Sequence, residues 1–107
     1  MATPQGSGNQ IRRLWSLCRR VPGGRRLFSV LLGRIVPYTG TVSPRVIELR
    51  DGHALVTMRD RRRVRNHLRS IHAIAMTNLA EVSSGLALIH ALPADARAIL
   101  VEISIEY

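Results

Sequence analysis

Asn66-His67-Leu68-Arg69-Ser70-Ile71-His72 leads into AIAMTNLAEVSSGLALIHAL, residues 73–92, the longest nearly all-apolar segment of the chain. Ser70 is suited to cap a helix that runs to about Leu92, where Pro93 forbids continuation. Inside it Ile71, Ile74, Ala75, Met76, Leu79, Val82, Leu86, Leu88 and Ile89 cover most of the circumference. A helix that apolar is expected to be wrapped by other structure on nearly all sides. Thr77, Asn78, Glu81 and Ser84 form its polar stripe, and Glu81 is its only carboxylate. Burying an unpartnered acid is strongly disfavoured, so Glu81 is expected to be either hydrogen-bonded or used.

Upstream of this helix the period changes. Val42, Ile47 and Leu49 lead to Arg50-Asp51-Gly52-His53, and Leu55-Val56-Thr57-Met58 follows. An Asp-Gly pair between two β-rich runs predicts a hairpin, with both turn residues at positive φ. Pro44 has no N–H and belongs at a strand start or edge. Arg59-Asp60-Arg61-Arg62-Arg63-Val64-Arg65 reads as a solvated connection. Downstream, Ile99, Val101, Ile103 and Ile105 alternate with Leu100, Glu102, Ser104 and Glu106, which predicts a third strand ending at Tyr107. Three strands cannot enclose so long a helix. The sequence therefore reads as lacking downstream strands, either as a fragment or as a chain completed by a partner.

The first third is different again. Residues 1–10 are small, polar and rich in helix breakers, and read as a disordered lead-in. Ile11, Leu14, Trp15 and Cys18 then fall at i, i+3, i+4 and i+7, with Arg12, Arg13, Arg19 and Arg20 outside the stripe. Pro22-Gly23-Gly24 ends this helix, and Leu27, Phe28, Leu31, Leu32 and Ile35 mark a shorter one before Pro37. Residues 11–40 thus form a helical extension ahead of a main domain at 41–107. Eight arginines and no acid fall within residues 1–47. An organelle presequence or membrane-surface helix would look like this, and so would a helical pair docked on the main domain. The Pro-Gly-Gly break and the two separate apolar faces suit docking.

Composition bounds the function. The 107 residues are 46% hydrophobic with a net charge of +9, enough for one small globular domain with an affinity for anions. All sixteen basic residues are arginine, and only 4% of residues are aromatic, so platforms for base stacking are scarce. The single Cys18 excludes an internal disulfide and fits a reducing, cytoplasmic setting. No apolar run approaches the roughly 20 residues of a bilayer span. His67 and His72 are five apart, His53 and His90 stand alone, and no cysteine or carboxylate pair joins them at ligand spacing, so no metal site is expected.

The candidate chemistry is Asn66, His72 and Glu81. His72 and Glu81 are nine residues apart, about 13 Å along a helix and on opposite faces, so one helix cannot bring them together. Two antiparallel copies related by a two-fold axis could. The alternative is that His72 caps the helix and Glu81 bonds locally to Thr77, Asn78 or Ser84. The arginines Arg61, Arg62, Arg63, Arg65 and Arg69 form a second group, suited to bidentate contact with phosphates, to nucleic acid, or simply to water.

Residues 66–88 resemble the hotdog-fold thioesterases, especially the phenylacetyl-CoA type. In those enzymes Asn-His-x-Gly-x-x-His-Gly-Gly enters the central helix and an acid follows nine residues after the second His. Asn66, His67, His72 and Glu81 match those positions, while Arg69, Ala73 and Ile74 stand where the family has glycine. Pro37-Tyr38-Thr39-Gly40 and Arg59-Asp60-Arg61-Arg62-Arg63 look like a functionally uncharacterised branch with an N-terminal helical extension.

The resemblance implies an α+β hotdog fold, a curled antiparallel sheet around the long helix, incomplete at its C-terminus. It implies a homodimer that hydrolyses acyl-CoA thioesters, with coenzyme A as part of the substrate and no separate cofactor. Glu81 would be general base or nucleophile, Asn66 would orient water or the carbonyl, and the Ala73–Ile74 backbone would supply an oxyanion contact. His72 would set the helix start, and Arg61, Arg62, Arg63, Arg65 and Arg69 would hold the coenzyme A phosphates. Ile74 places a branched side chain where the acyl group should approach. A non-catalytic acyl-ligand module of the same fold, and more remotely a basic nucleic-acid-binding protein, are the competing readings.

Overall fold

A computed structural model describes residues 4–93 and 95–107, apart from the side chains of residues 4–9. The architecture is α+β. Three N-terminal helices precede a two-stranded antiparallel sheet of β1 (Arg45–Arg50) and β2 (His53–Thr57), which packs against the second of them and against one long helix that follows. The hairpin forms where the Asp-Gly pair places it, and β1 starts directly after Pro44. Its turn differs in one respect. Gly52 has φ 73° but Asp51 is not at positive φ, so the turn has one left-handed residue and not two. Both residues are instead docked: the Gly52 N–H donates to the Ala87 carbonyl at 3.3 Å, and the Asp51 carboxylate meets His90 Nδ1 at 2.8 Å.

The strand register contains a bulge. Val46 pairs with Val56 and Glu48 with Leu55, leaving Ile47 as an extra residue. Because side chains alternate along a strand, this insertion reverses the parity. It lets Val46 and Leu49 both enter the core, although they are three residues apart.

α1 (Pro4–Cys18) begins inside the segment whose composition suggests a disordered lead-in, and residues 1–3 of that segment lie outside the described residues. Its stripe Ile11, Trp15 and Cys18 is buried, with Leu14 at the margin. Cys18 is a packed thiol. α2 (Gly24–Ile35) returns beside α1, and Trp15 meets Phe28 edge-to-face with ring centroids 5.0 Å apart. Gly24 makes the reversal possible, since a Cβ there would sit 1.6 Å from the Cys18 carbonyl oxygen. Phe28 and Leu32 are the deepest side chains of the pair, each contributing about 1.5–3 kcal/mol by burial. Ser29 ties α2 to the sheet by accepting from the Val46 N–H at 2.9 Å while donating to the Arg25 carbonyl. The one-turn helix α3 (Pro37–Gly40) follows.

α4 (Ala73–Ala91) starts two residues later than Ser70 capping would give. His72 is the N-cap, its Nδ1 accepting from the Ile74 N–H at 3.0 Å. The helix buries Ala75, Asn78, Val82 and Leu86, one stripe at three- and four-residue spacing. Val82 and Leu86 join Ile11, Trp15, Phe28, Leu32, Val46 and Leu49 in the main core, and Ala75 joins Val42 and Val64 in a smaller one.

Two expectations are corrected here. α4 is not wrapped on nearly all sides: Ile74, Met76 and Leu88 lie exposed away from the stripe. Residues 99–105 do not form a strand. Alternation gives a segment two faces, but a strand also needs a neighbouring edge for its N–H and C=O groups. Here the C-terminal segment comes back to α4 and not to the hairpin. The Tyr107 hydroxyl donates to the Ala73 carbonyl and meets Thr77 Oγ1 at 2.8 Å, leaving Ile99 and Val101 about nine-tenths exposed.

Candidate functional site

The connection from β2 to α4 builds the site. A 3₁₀ turn over Arg62–Val64 drops Val64 into the smaller core, and the His72 N–H then donates to the Val64 carbonyl at 2.7 Å. Arg65 and Ile71 form an isolated antiparallel bridge. The loop between them closes on Asn66. Its Oδ1 accepts from the N–H groups of Leu68 (2.9 Å) and Ser70 (3.2 Å), and its own N–H donates to the Ser70 carbonyl at 2.8 Å. Asn66 is thus the peg of a tight loop, the role in which an amide imitates a backbone turn.

Arg69 sits in that loop at φ 63°, in the left-handed region that a side chain disfavours. This is the position where the resembling enzymes carry glycine. Here an arginine bears the strain.

The five arginines singled out by sequence do not act as one cluster. Arg62, Arg65 and Arg69 surround a shallow depression with Asn66. Arg63 faces a different cleft, and the Arg61 guanidinium donates to the Ser43 hydroxyl. Arg65 Nε is 2.7 Å from Asp60 Oδ1, and this hydrogen bond and charge hold its pKa above the ordinary guanidinium value.

At the mouth of α4 lies a cleft of about 540 Å³. Val42, Val64 and Ala75 give it an apolar floor, His72 and Asn78 present polar groups, and Arg63 and Arg65 stand at the rim. Asn78 Nδ2 donates to the Tyr38 carbonyl at 3.2 Å, fixing α3 against α4. Sequence reasoning placed Asn78 in the same polar stripe as Glu81. Helical phase separates them, since Asn78 lies on the buried line through Ala75 and Val82. The cap also changes which backbone donors are free. The Ile74 N–H is committed to His72, whereas the N–H groups of Ala73 and Ala75 have no acceptor among the described residues. Ala75 lines the cleft and Ala73 sits between the lining residues His72 and Ile74, so both N–H groups, with the positive end of the helix dipole, lie at its edge.

Glu81 lies elsewhere. It is half-buried, belongs to neither the cleft nor the Asn66 depression, and its Oε2 is 3.4 Å from where a Cβ would stand on Gly85. Its carboxylate therefore turns toward the C-terminal half of α4, away from Asn66 and His72. Thr77 and Ser84 leave that carboxylate alone, their hydroxyls donating to carbonyls of their own helix, that of Ser84 to Ala80 and to the Glu81 backbone.

No helix among the described residues is long and apolar enough to cross a membrane. A solved crystal structure of a genomics target is similar to this chain, with 34% sequence identity and a TM-score of 0.67 over 79% of it. The chain spans 56% of the length of that structure. Among curated proteins, none matches. Residues 24–107, from the first residue of α2 through the cleft to Tyr107, match the family described as domain of unknown function DUF4442, and the chain belongs to it.

Proposed function

We propose that this domain is a hotdog-like protein that binds acyl-CoA thioesters and acts as a homodimer. The observation that carries this reading is the cleft at the mouth of α4. An apolar floor there meets two uncommitted N–H groups at a helix N-terminus, beneath an arginine rim. An acyl chain fits the floor, the thioester carbonyl fits the N–H groups, and guanidinium groups suit the carrier's phosphates. Arg63 and Arg65 reach the rim, while Arg62 and Arg69 flank the adjoining depression that Arg65 shares.

Hydrolysis within this reading is an act of the dimer. No carboxylate lines the cleft of one protomer, and Glu81 points away from it. A second copy packed antiparallel against the exposed Ile74 and Leu88 side of α4 would bring its Glu81 toward the first copy's Asn66–His72 end. There it would activate water, while the N–H groups of Ala73 and Ala75 receive the developing oxyanion. One observation favours binding without turnover: the Ile74 N–H, assigned to the oxyanion by resemblance, is already held by His72.

A thermal-shift series over acyl-CoAs, paired with thiol-release kinetics, separates these readings. Stabilisation by acyl-CoA supports the site, and thiol release that falls about a hundredfold or more in Glu81→Gln supports the catalytic form. Stabilisation with no thiol release selects the binding module. Absence of any acyl-CoA response removes the proposal.

A further inference from the structure

We propose that the outer face of α2, with the basic depression beside it, is a docking surface for an anionic lipid membrane. This surface borders the cleft, sharing Arg63 with its rim, and does not depend on how the cleft is used. α2 turns Phe28, Ser29 and Leu32 inward, leaving Arg26, Leu27, Val30 and Arg34 on its outer side. Leu27 and Val30 are half-exposed at 50% and 53%.

Alongside them is a depression of about 800 Å³ lined by five arginines, Arg26, Arg34, Arg45, Arg59 and Arg63. A second depression at the α1–α2 turn adds Arg19 and Arg25 beside the exposed Val21, and shares Arg26 and Arg45 with the first. No carboxylate lines either one. Among the described residues, the arginines paired with carboxylates are Arg50 and Arg65, neither of them in this group. Seven guanidinium groups therefore form one unneutralised belt around a short apolar ridge.

The chemistry of the ridge chooses the partner. A nucleic acid would use the charge but gains most from flat stacking platforms. Trp15 and Phe28 are packed against each other in the core, and the exposed Tyr38 belongs to the cleft at α4. Leu27 and Val30 would remain in water on a phosphate backbone. On a bilayer they enter the headgroup boundary, and the arginines on both sides reach lipid phosphates while their stems stay apolar.

The test is co-sedimentation of the full chain with phosphatidylcholine vesicles, with and without about 30% phosphatidylglycerol. Binding should be at least tenfold tighter to the anionic vesicles and should fall steeply with salt. The Arg26→Gln/Arg34→Gln variant should lose roughly fivefold per arginine, and Arg50→Gln should be unchanged. Leu27→Ser/Val30→Ser should weaken binding while keeping its salt dependence. Val30→Trp, whose side chain points outward, should shift its emission to the blue on anionic vesicles alone. Equal binding to neutral and anionic vesicles overturns the proposal. So does indifference to the Leu27/Val30 change with an unshifted Val30→Trp emission. A single-stranded oligonucleotide bound more tightly than the vesicles, and released by the arginine change alone, also overturns it.

Discussion

The two ends of α4 are treated in opposite ways. At the C-terminal end distant parts of the chain reach in. The Arg12 guanidinium, reaching over from α1, donates to the carbonyls of Ile89 and Leu92, while His90 meets Asp51 and the Ala87 carbonyl accepts from Gly52. At the N-terminal end only Ile74 is capped, two N–H groups have no acceptor among the described residues, and the helix opens on a cleft. A helix end without partners costs stability unless water or a ligand satisfies it. The contrast ties the C-terminal end to the folded core and leaves the N-terminal end facing the cleft.

The hardest blow to that contrast is a cavity beneath the closed end. Leu86→Ala should cost about 2–5 kcal/mol, since Leu86 is buried against both the hairpin and the N-terminal helices, and chemical denaturation would measure it. Arg12→Ala should come next, at about 1–3 kcal/mol, because two carbonyls lose a charged donor. Acyl-CoA stabilisation should survive that change when expressed relative to the variant's own melting temperature. An equally large loss of ligand response would mean that the two ends are not independent.

At the open end, His72→Ala should cost about 1 kcal/mol by removing the N-cap, and His72→Asn should recover most of it. A loss far above this, unrepaired by asparagine, would give His72 a role beyond capping. The smallest and most discriminating change is Arg69→Gly. Relieving the left-handed arginine should raise stability by up to about 1 kcal/mol while weakening acyl-CoA binding, if its guanidinium grips phosphate. Titrating acyl-CoA against both proteins checks the second half, and unchanged affinity would remove Arg69 from the phosphate group.

Local chemistry made part of this legible in the amino-acid order. The hairpin could be read from Asp51-Gly52 because a turn is decided by a few neighbouring residues. The Ile11, Trp15 and Cys18 stripe could be read because helical period alone selects a face. Asn66 and His72 could be singled out as polar residues at a helix entry, yet which backbone groups they engage depended on the loop's path. The bulge at Ile47 was not visible, since its effect on parity appears only against a partner strand. Nor was the use of Arg12, which sequence places simply outside an apolar stripe.

What could be read from the amino-acid order is therefore local: the hairpin, the presence of the helices and the inward stripe of α1, the break at Gly23-Gly24, and an arginine excess with no acid before Glu48. Contacts between distant segments decided the rest. They separated Asn78 from Glu81 by helical phase and turned Arg12 into a cap for a helix about eighty residues away. They also brought the end of the C-terminal segment to α4 and not to a strand edge. Period and turn chemistry act over a few residues, whereas the partner of a carbonyl, a carboxylate or a strand is known only once the chain has folded back on itself.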